Sequence, residues 1–104
     1  MVSRGEVWWA DAPGAKRRPY LVVTRDVVIP HLSSVIAIPT SRRVFGIPSE
    51  VILDEDDGMP TTCALNADLV TQLAHDRFVE RICTLSRSRM REVYRALQHA
   101  TACR

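Results

Sequence analysis

The sequence predicts a mostly β, α+β domain: a small antiparallel β-barrel, or a half-open sheet, packed by a C-terminal amphipathic helix. Two observations predict this class. Short runs rich in β-branched and aromatic residues recur along most of the chain, separated by turn-forming Pro, Gly, Asn and Asp. After them, apolar residues recur every three or four positions, as on one face of a helix. With 104 residues and 46% hydrophobic content, residues 1–104 should form a single domain.

The strands are predicted from apolar runs that end at turn residues. Pro19 stands just before the second strand, where its missing N–H is least harmful. The third run, Ser34–Ile38, has no polar interruption after Ser34, so we expect it to be buried on both faces and to stop at Pro39. The predicted strands are Gly5–Asp11, Tyr20–Thr24, Ser34–Ile38, Glu50–Leu53, Cys63–Leu65, Leu69–Leu73 and Phe78–Thr84.

Two of the segments that connect predicted strands have a distinctive amino-acid composition. Arg25–Ser33 contains a proline and has no clear period, which predicts a loop with one helical turn. The acidic run Asp54–Gly58 predicts a solvated turn, because calcium binding would need an ordered ligand spacing that is absent.

The helix is predicted from about Ser86 to Ala102. Ser86 is a natural N-cap, and Leu85 and Met90 then fall at the two positions of a hydrophobic staple. Several arginines near its start oppose the helix dipole, which indicates an anionic partner outside the domain. The apolar stripe is Met90, Val93, Leu97 and Ala100; the arginines off the stripe are Arg87, Arg89, Arg91 and Arg95.

Several classes of function find no support in the sequence. The net charge of +2 and pI of 8.6 are too mild to require a nucleic acid, although basic residues cluster at strand ends in the first half. The chain has no Walker, GxGxxG, GxSxG or HExxH motif. Its three histidines lie far from one another in the sequence, so we expect them to be ordinary surface residues. We expect no metal and no cofactor.

The cysteines and the ends of the chain bear on location. Cys63, Cys83 and Cys103 have neither a zinc spacing nor the even number of a disulfide framework, which fits a reducing cytoplasm. No apolar run has the length of a signal peptide or a membrane span. We expect a soluble, untargeted cytoplasmic protein.

The candidate chemistry lies at two strand ends. Lys16, Arg17 and Arg18 precede the second strand, and Thr40 and Ser41 follow the third. A guanidinium group next to hydroxyls can bind a phosphate, because the guanidinium offers two parallel donors and the hydroxyls add neutral ones. The alternative is that Arg18 pairs with an acid such as Asp11 and that Thr40-Ser41 only begins a turn.

Short motifs follow one another in order along nearly the whole chain. They are Arg4-Gly5-Glu6-Val7-Trp8-Trp9-Ala10-Asp11, Arg17-Arg18-Pro19, Leu21-Val22-Val23, Arg25-Asp26, Ile38-Pro39-Thr40-Ser41, Ser49-Glu50-Val51, Ala64-Leu65-Asn66 with Asp68, and Leu85-Ser86 with Met90, Val93, Ala96 and Leu97. This ordered set resembles the MazF/PemK toxins of bacterial toxin–antitoxin modules. The resemblance implies an SH3-like barrel, a homodimer, a cognate antitoxin and a metal-independent endoribonuclease that cuts single-stranded RNA at a short sequence.

The resemblance also implies roles for individual residues. Arg18 and Thr40 match the family's catalytic arginine and threonine. The expected reaction is attack of a ribose 2′-hydroxyl on its own 3′-phosphate, which leaves a 2′,3′-cyclic phosphate and a 5′-hydroxyl. Arg18 should stabilise the charge in this reaction, because arginine does not normally release its proton. The residues expected to bind RNA are Lys16, Arg17, Arg25, Ser41 and Arg42.

The loop between the first two strands departs from the family. Ala12–Lys16 is short and lacks the usual acidic residue, which leaves Glu6, Asp11 or a group of the other subunit as the general base. One of Trp8 and Trp9 should face the core because strand residues alternate, and the other is left for base stacking or a dimer interface.

Two other functions remain open from the sequence. One is a toxin of the same fold that inhibits DNA gyrase by protein contact; that branch uses a tryptophan near the C-terminus, which this chain lacks. The other is a non-catalytic SH3-like RNA-binding module, which would need exposed aromatic residues.

Overall fold

A computed structural model describes residues 1–102 of the chain. Four 3-10 turns, at Ile29–His31, Glu55–Asp57, Ala67–Leu69 and His75–Arg77, connect the regular elements, and Cys103 lies outside the described residues. The elements are β1 (Glu6–Ala10), β2 (Arg18–Val22), β3 (Ser34–Ser41), β4 (Glu50–Leu53), β5 (Cys63–Asn66), β6 (Thr71–Ala74), β7 (Phe78–Thr84) and α1 (Arg87–Thr101).

The strands form one antiparallel sheet in the order β4-β5-β3-β2-β1-β7, and β6 pairs with β3. β4 and β7 are the two ends of this path in residues 1–102, so the sheet is barrel-like and does not close. The predicted fold class is therefore confirmed: a mostly β domain with a C-terminal helix. None of the helices in residues 1–102 has the length and apolarity needed to cross a membrane.

β3 is the strand on which the two halves of the sheet meet. One edge pairs with β2; the other pairs with β6 up to Ala37 and with β5 from Thr40 onward. Pro39 lies between these two pairings, where its lack of an N–H costs no ladder bond to either strand. The prediction that the strand stops before Pro39 is wrong: β3 runs on to Ser41 and includes Thr40.

Three further predictions about the strands need correction. β3 is not buried on both faces, because the side chain of Ile36 is 45% exposed. β2 begins at Arg18, two residues earlier than predicted, because Arg18 and Pro19 pair with β1. Leu69 lies in a 3-10 turn and not in a strand, because Asn66 Oδ1 accepts the Asp68 N–H and turns the chain there.

The helix forms as the sequence predicts. The hydroxyl of Ser86 accepts the backbone N–H of Arg89 at 3.1 Å, which caps the first turn. Leu85 and Met90 are both buried in the main core, as expected of a hydrophobic staple. The apolar face of α1 packs against β4 and the turn Ala67–Leu69, so the helix covers one end of the barrel.

The acidic turn is not simply solvated, because one of its residues pairs with the helix. Arg89 Nε donates to Asp57 Oδ1 at 2.9 Å, and Arg89 Nη1 donates to Glu92 at 3.1 Å. The partner of this arginine therefore lies inside the domain and not outside it. Asp54 and Asp57 also form a reciprocal capping box around the turn Glu55–Asp57.

The titration of Asp57 follows from these contacts. Burial alone would raise the pKa of Asp57, but the hydrogen bonds from Arg89 and from the Asp54 N–H, with the charge of Arg89, hold that pKa below its ordinary value. A carboxyl whose pKa is lower in the folded state stabilises the fold above its unfolded pKa. That stability is lost as the pH falls through the folded pKa.

We expect Asp57→Asn to lower the free energy of unfolding at pH 7 by about 1–3 kcal/mol, because it removes a hydrogen-bonded ion pair that is mostly buried. The difference from the wild-type protein should begin to shrink as the pH falls below the ordinary aspartate pKa of about 4, and it should be lost as the pH falls through the lower pKa of folded Asp57. Urea unfolding at several pH values measures it. Asp56→Asn, at an exposed position in the same turn, is the matched control; equal effects of the two substitutions would contradict the assignment.

Gly58 is a second sensitive position in this turn. Its φ is +96°, and a Cβ added there would lie 2.8 Å from Cys83 Cβ. Gly14 has a similar φ of +73° but has no atom within 4 Å of such a Cβ. Comparing alanine substitutions at the two glycines therefore separates the cost of backbone strain from the cost of a side-chain clash.

We expect Gly14→Ala to destabilise the fold by about 1–2 kcal/mol through backbone strain alone. Gly58→Ala should cost about 1–3 kcal/mol more, because the methyl group must push Cys83 aside. Thermal unfolding of both variants measures the difference. Equal losses of stability would show that the contact with Cys83 carries no cost.

Candidate active site

An open groove of about 570 Å³ lies where the end of β1, the start of β2 and the end of β3 come together. Basic and hydroxyl side chains line one part of it, and the segment between β4 and β5 provides another wall. Its lining residues are Trp9, Lys16, Arg17, Arg18, Pro19, Thr40, Ser41, Arg42, Met59, Pro60, Thr61 and Cys63.

Arg18 and Thr40 both line this groove, and hydrogen bonds connect their two strands there. Thr40 Oγ1 donates to the carbonyl of Pro19 at 3.0 Å, and Arg18 Nη1 donates to the carbonyl of Thr40 at 3.5 Å. The second bond is long, so the buried hydroxyl contributes most of the restraint. Thr40 is only 3% exposed and its hydroxyl hydrogen is used by Pro19, so in this arrangement Thr40 positions the start of β2.

Ser41 and Arg42 extend the groove beyond Thr40. Ser41 Oγ accepts the backbone N–H of Arg43 at 3.0 Å, which leaves its hydroxyl hydrogen able to donate to a ligand. Arg42 is exposed. Thr40 and Ser41 both belong to β3, so the alternative that they only begin a turn is wrong.

The acid near the basic triplet pairs with Arg17 and not with Arg18. Arg17 Nε and Nη2 donate to the two oxygens of Asp11 at 2.8 and 2.9 Å. These hydrogen bonds hold the pKa of the Asp11 carboxyl below its ordinary value, so Asp11 is a weak base at neutral pH. The alternative that Arg18 pairs with Asp11 is therefore wrong.

The structure distinguishes the two tryptophans. Trp8 packs edge-on against Phe78, with ring centroids 6.3 Å apart, and its Nε1 donates to Glu6. Trp9 lines the groove. The prediction that one tryptophan would pack against the core is confirmed, and the other presents an aromatic surface beside the basic residues.

Three of the sequence-predicted residues are not part of the groove lining. Arg25 borders a separate hollow beside β3. The carboxylate of Glu6 accepts the N–H groups of Ser3 and Trp8 and contacts Arg81. Asp11, the other candidate base, pairs with Arg17 and does not itself line the groove. The other residues predicted to be catalytic or to bind RNA line the groove: Lys16, Arg17, Arg18, Thr40, Ser41 and Arg42.

The wall from Met59 to Cys63 was not predicted from the sequence as part of the site. It reaches the groove because Ser41 of β3 pairs with Ala64 of β5, a contact between positions far apart in the chain. Burial raises the pKa of the Cys63 thiol, so Cys63 forms a neutral, weakly polar part of the groove floor. Within residues 1–102, no three His, Cys, Asp or Glu side chains are grouped to hold a metal ion.

We expect Thr40→Val to lower the free energy of unfolding by about 1–3 kcal/mol, because the partly buried Pro19 carbonyl loses its donor. Thr40→Ser keeps the hydroxyl and should cost less, about 1 kcal/mol for the lost methyl group. Urea unfolding of the two variants measures this. If Thr40→Val proved as stable as the wild-type protein, the hydroxyl would not be what joins the two strands.

Comparisons with known proteins agree over almost the whole chain. The sequence model of the PemK-like, MazF-like toxins of type II toxin–antitoxin systems matches residues 3–101. The probable endoribonuclease MazF5 of Mycobacterium tuberculosis (strain ATCC 25618 / H37Rv) is 36% identical over 102 residues, which are 97% of this chain and 94% of that relative.

Solved structures share the fold. An endoribonuclease in complex with its cognate antitoxin, from Mycobacterial species, aligns with a TM-score of 0.88 at 23% identity, over 100% of this chain and 98% of the other. The MazE–MazF complex (Form-II) of Deinococcus radiodurans aligns with a TM-score of 0.81 at 25% identity, over the same shares of the two chains. By its sequence and its fold, this chain belongs to the PemK-like, MazF-like toxins of type II toxin–antitoxin systems.

Proposed function

We propose that this protein is a metal-independent, sequence-specific endoribonuclease that cleaves single-stranded RNA, and that the groove around Arg18 is its active site. The observation that carries the proposal is the position of Arg18. It lies on a strand, held beside Thr40, with the cations Lys16, Arg17 and Arg42 along the same groove. The relative MazF5, at 36% identity, bears the name of probable endoribonuclease.

The charge of the groove suits a polyanionic backbone. Its four basic side chains lie within one open channel, and no carboxylate is among the groove-lining residues described in 1–102. Of these four side chains, Arg17 forms an ion pair with an acid of residues 1–102, which is Asp11. A cationic channel open at its sides can receive successive phosphates of a single strand, and Trp9 adds a surface for stacking a base.

The proposed reaction is an internal transfer at phosphorus. The ribose 2′-oxygen attacks the adjacent 3′-phosphorus, and the bond from phosphorus to the 5′-oxygen breaks. The products are a 2′,3′-cyclic phosphate and a 5′-hydroxyl end. Negative charge builds up on the phosphoryl oxygens during the attack, and the guanidinium of Arg18 stabilises it from a fixed position. The hydroxyl of Ser41 can add a hydrogen bond.

The cleavage reaction also requires two proton transfers. The 2′-hydroxyl must lose a proton and the 5′-oxygen must gain one. The described groove contains no histidine to exchange these protons, Asp11 is a weak base, and Glu6 lies outside the groove. We propose that the proton acceptor comes from the second subunit of a homodimer or from water, while this chain's own residues bind the phosphate and stabilise its charge.

The cognate antitoxin is the second proposed partner. The Deinococcus radiodurans relative was solved as a MazE–MazF complex. An acidic antitoxin segment would find in this groove the same row of cations as an RNA strand, so occupying the groove would block the substrate. RNA and antitoxin both point to the cytoplasm as the place of action.

We expect Arg18→Ala to abolish cleavage while leaving the fold intact, because Arg18 is not fully buried and its side chain makes a single long hydrogen bond. Purified protein, free of antitoxin and with EDTA present, is incubated with a long RNA of mixed sequence, and the new ends are mapped. The wild-type protein should make discrete cuts that leave 5′-hydroxyl ends. Arg91→Ala, at an exposed position on α1, is the control and should cut normally.

Two results would contradict the proposal. Cleavage by folded Arg18→Ala would remove Arg18 from the reaction. Intact RNA after incubation with folded wild-type protein would favour inhibition of DNA gyrase by protein contact, which a supercoiling assay with the same preparation tests. Loss of cleavage in EDTA, restored by a divalent ion, would refute metal independence alone.

A further inference from the structure

The segment 42–49, between β3 and β4, presents an unexplained pair of side chains. Phe45 is 58% exposed, and the guanidinium of Arg43 lies over its ring, 5.3 Å from the centroid. A large aromatic residue exposed to this degree gains little from folding, because most of its surface stays in water. We call Arg43 and Phe45 the stacking pair.

The segment that carries this pair starts at the groove. β3 and β4 flank β5 and are both antiparallel to it, so the chain must cross from one side of β5 to the other. The two ends of the segment are therefore about 10 Å apart across the sheet. The first residue, Arg42, lines the groove, and Arg43 is tied to Ser41 of the groove by its N–H bond to Ser41 Oγ.

Hydrogen bonds to the side chain of Glu50 hold the segment 42–49 in place. The carboxylate of Glu50 accepts the backbone N–H groups of Phe45 at 3.0 Å and of Gly46 at 2.8 Å. A third N–H, from Ile47, lies 3.4 Å from the same carboxylate. One side chain therefore holds three consecutive backbone donors of the segment, which keeps the ring of Phe45 at the surface.

We propose that the stacking pair binds a base of the single-stranded RNA next to the nucleotide held at Arg18, and that it thereby helps to set the cleavage sequence. This inference rests on the proposed function, since it extends the same RNA path beyond Arg42. The face of Phe45 stacks on the base, and Arg43 contacts the adjoining phosphate.

The observations favour RNA as the occupant. The segment that carries the stacking pair begins at Arg42, which lines the cationic groove, and neither Arg42 nor Arg43 is in an ion pair with an acid of residues 1–102. An exposed aromatic ring beside unpaired arginines combines the two features of a site for single-stranded nucleic acid. A purely apolar partner would leave those two charges desolvated without a counter-charge.

The test measures binding separately from cleavage. The probe is a fluorescein-labelled pool of 2′-O-methylated single-stranded RNA of random sequence, which cannot undergo 2′-hydroxyl attack. We expect Phe45→Ala and Phe45→Leu to weaken binding by roughly 5-fold or more, because stacking on an aromatic ring is lost. Phe45→Trp keeps the aromatic face and should bind like the wild-type protein. Val27→Ala, at an exposed apolar position outside the groove, is the matched control.

Cleavage mapping provides the second readout. On unmodified RNA, Phe45→Ala should relax the base preference at one position flanking the cut, while the Val27→Ala pattern stays unchanged. A general loss of stability would reduce cutting at all sites equally and would leave the preference intact. Unfolding midpoints of all variants are measured in parallel.

The outcomes separate this inference from the proposed activity. If the wild-type protein binds the pool with dependence on Phe45 but cuts no RNA, the cleavage proposal and the role in the cleavage sequence are refuted, while base binding by the stacking pair is supported. If Phe45→Ala binds and cuts like the wild-type protein, the inference is overturned. The inference is also overturned if Phe45→Ala sediments as a monomer where the wild-type protein sediments as a dimer, or if this variant loses only antitoxin binding. Either result would show that Phe45 belongs to a protein interface. Absence of any RNA binding by the wild-type protein refutes both proposals.

Discussion

The hydrogen bond from Thr40 to the Pro19 carbonyl is the interaction on which the site depends. It joins the start of β2 to the end of β3, positions 21 residues apart, at the point where both strands reach the groove. The bond is partly buried and Thr40 itself is only 3% exposed, so water competes for this bond less than it would at an open surface. Arg18 directly precedes Pro19 and donates to Thr40 in return. Without this bond, Arg18 and Pro19 would be held mainly by their pairing with β1.

The far wall of the groove depends on a second restraint. Arg89 of α1 holds Asp57, and the chain continues from Asp57 through Gly58 to Met59, where the groove wall begins. The helix therefore does more than cover one end of the barrel, because its first turn anchors the segment that leads into the site. Since Asp57 and Arg89 are 32 residues apart, this restraint exists only in the folded protein.

Within residues 1–102, three arginines have acidic partners. Arg89, Arg81 and Arg17 contact carboxylates of the same chain, and these contacts offset their charge within the domain. Arg18 and Arg42 form no ion pair with a described residue, and both line the groove, where no described carboxylate joins them. A chain of modest net charge can therefore hold a locally cationic channel.

The sequence alone predicted much of the local structure. Apolar periodicity and capping residues depend on neighbours within a few positions, so β4, β7 and the Ser86-capped helix could be predicted within a residue or so. The family resemblance predicted Arg18 and Thr40 as catalytic residues, and both line the same groove in the structure. What only the tertiary structure decided was which distant groups meet: Arg17 and not Arg18 with Asp11, Arg89 with Asp57, the wall at Met59, and the exclusion of Arg25 from the groove. Such contacts follow from strand pairing and helix packing across the whole chain, and no local pattern of residues encodes them.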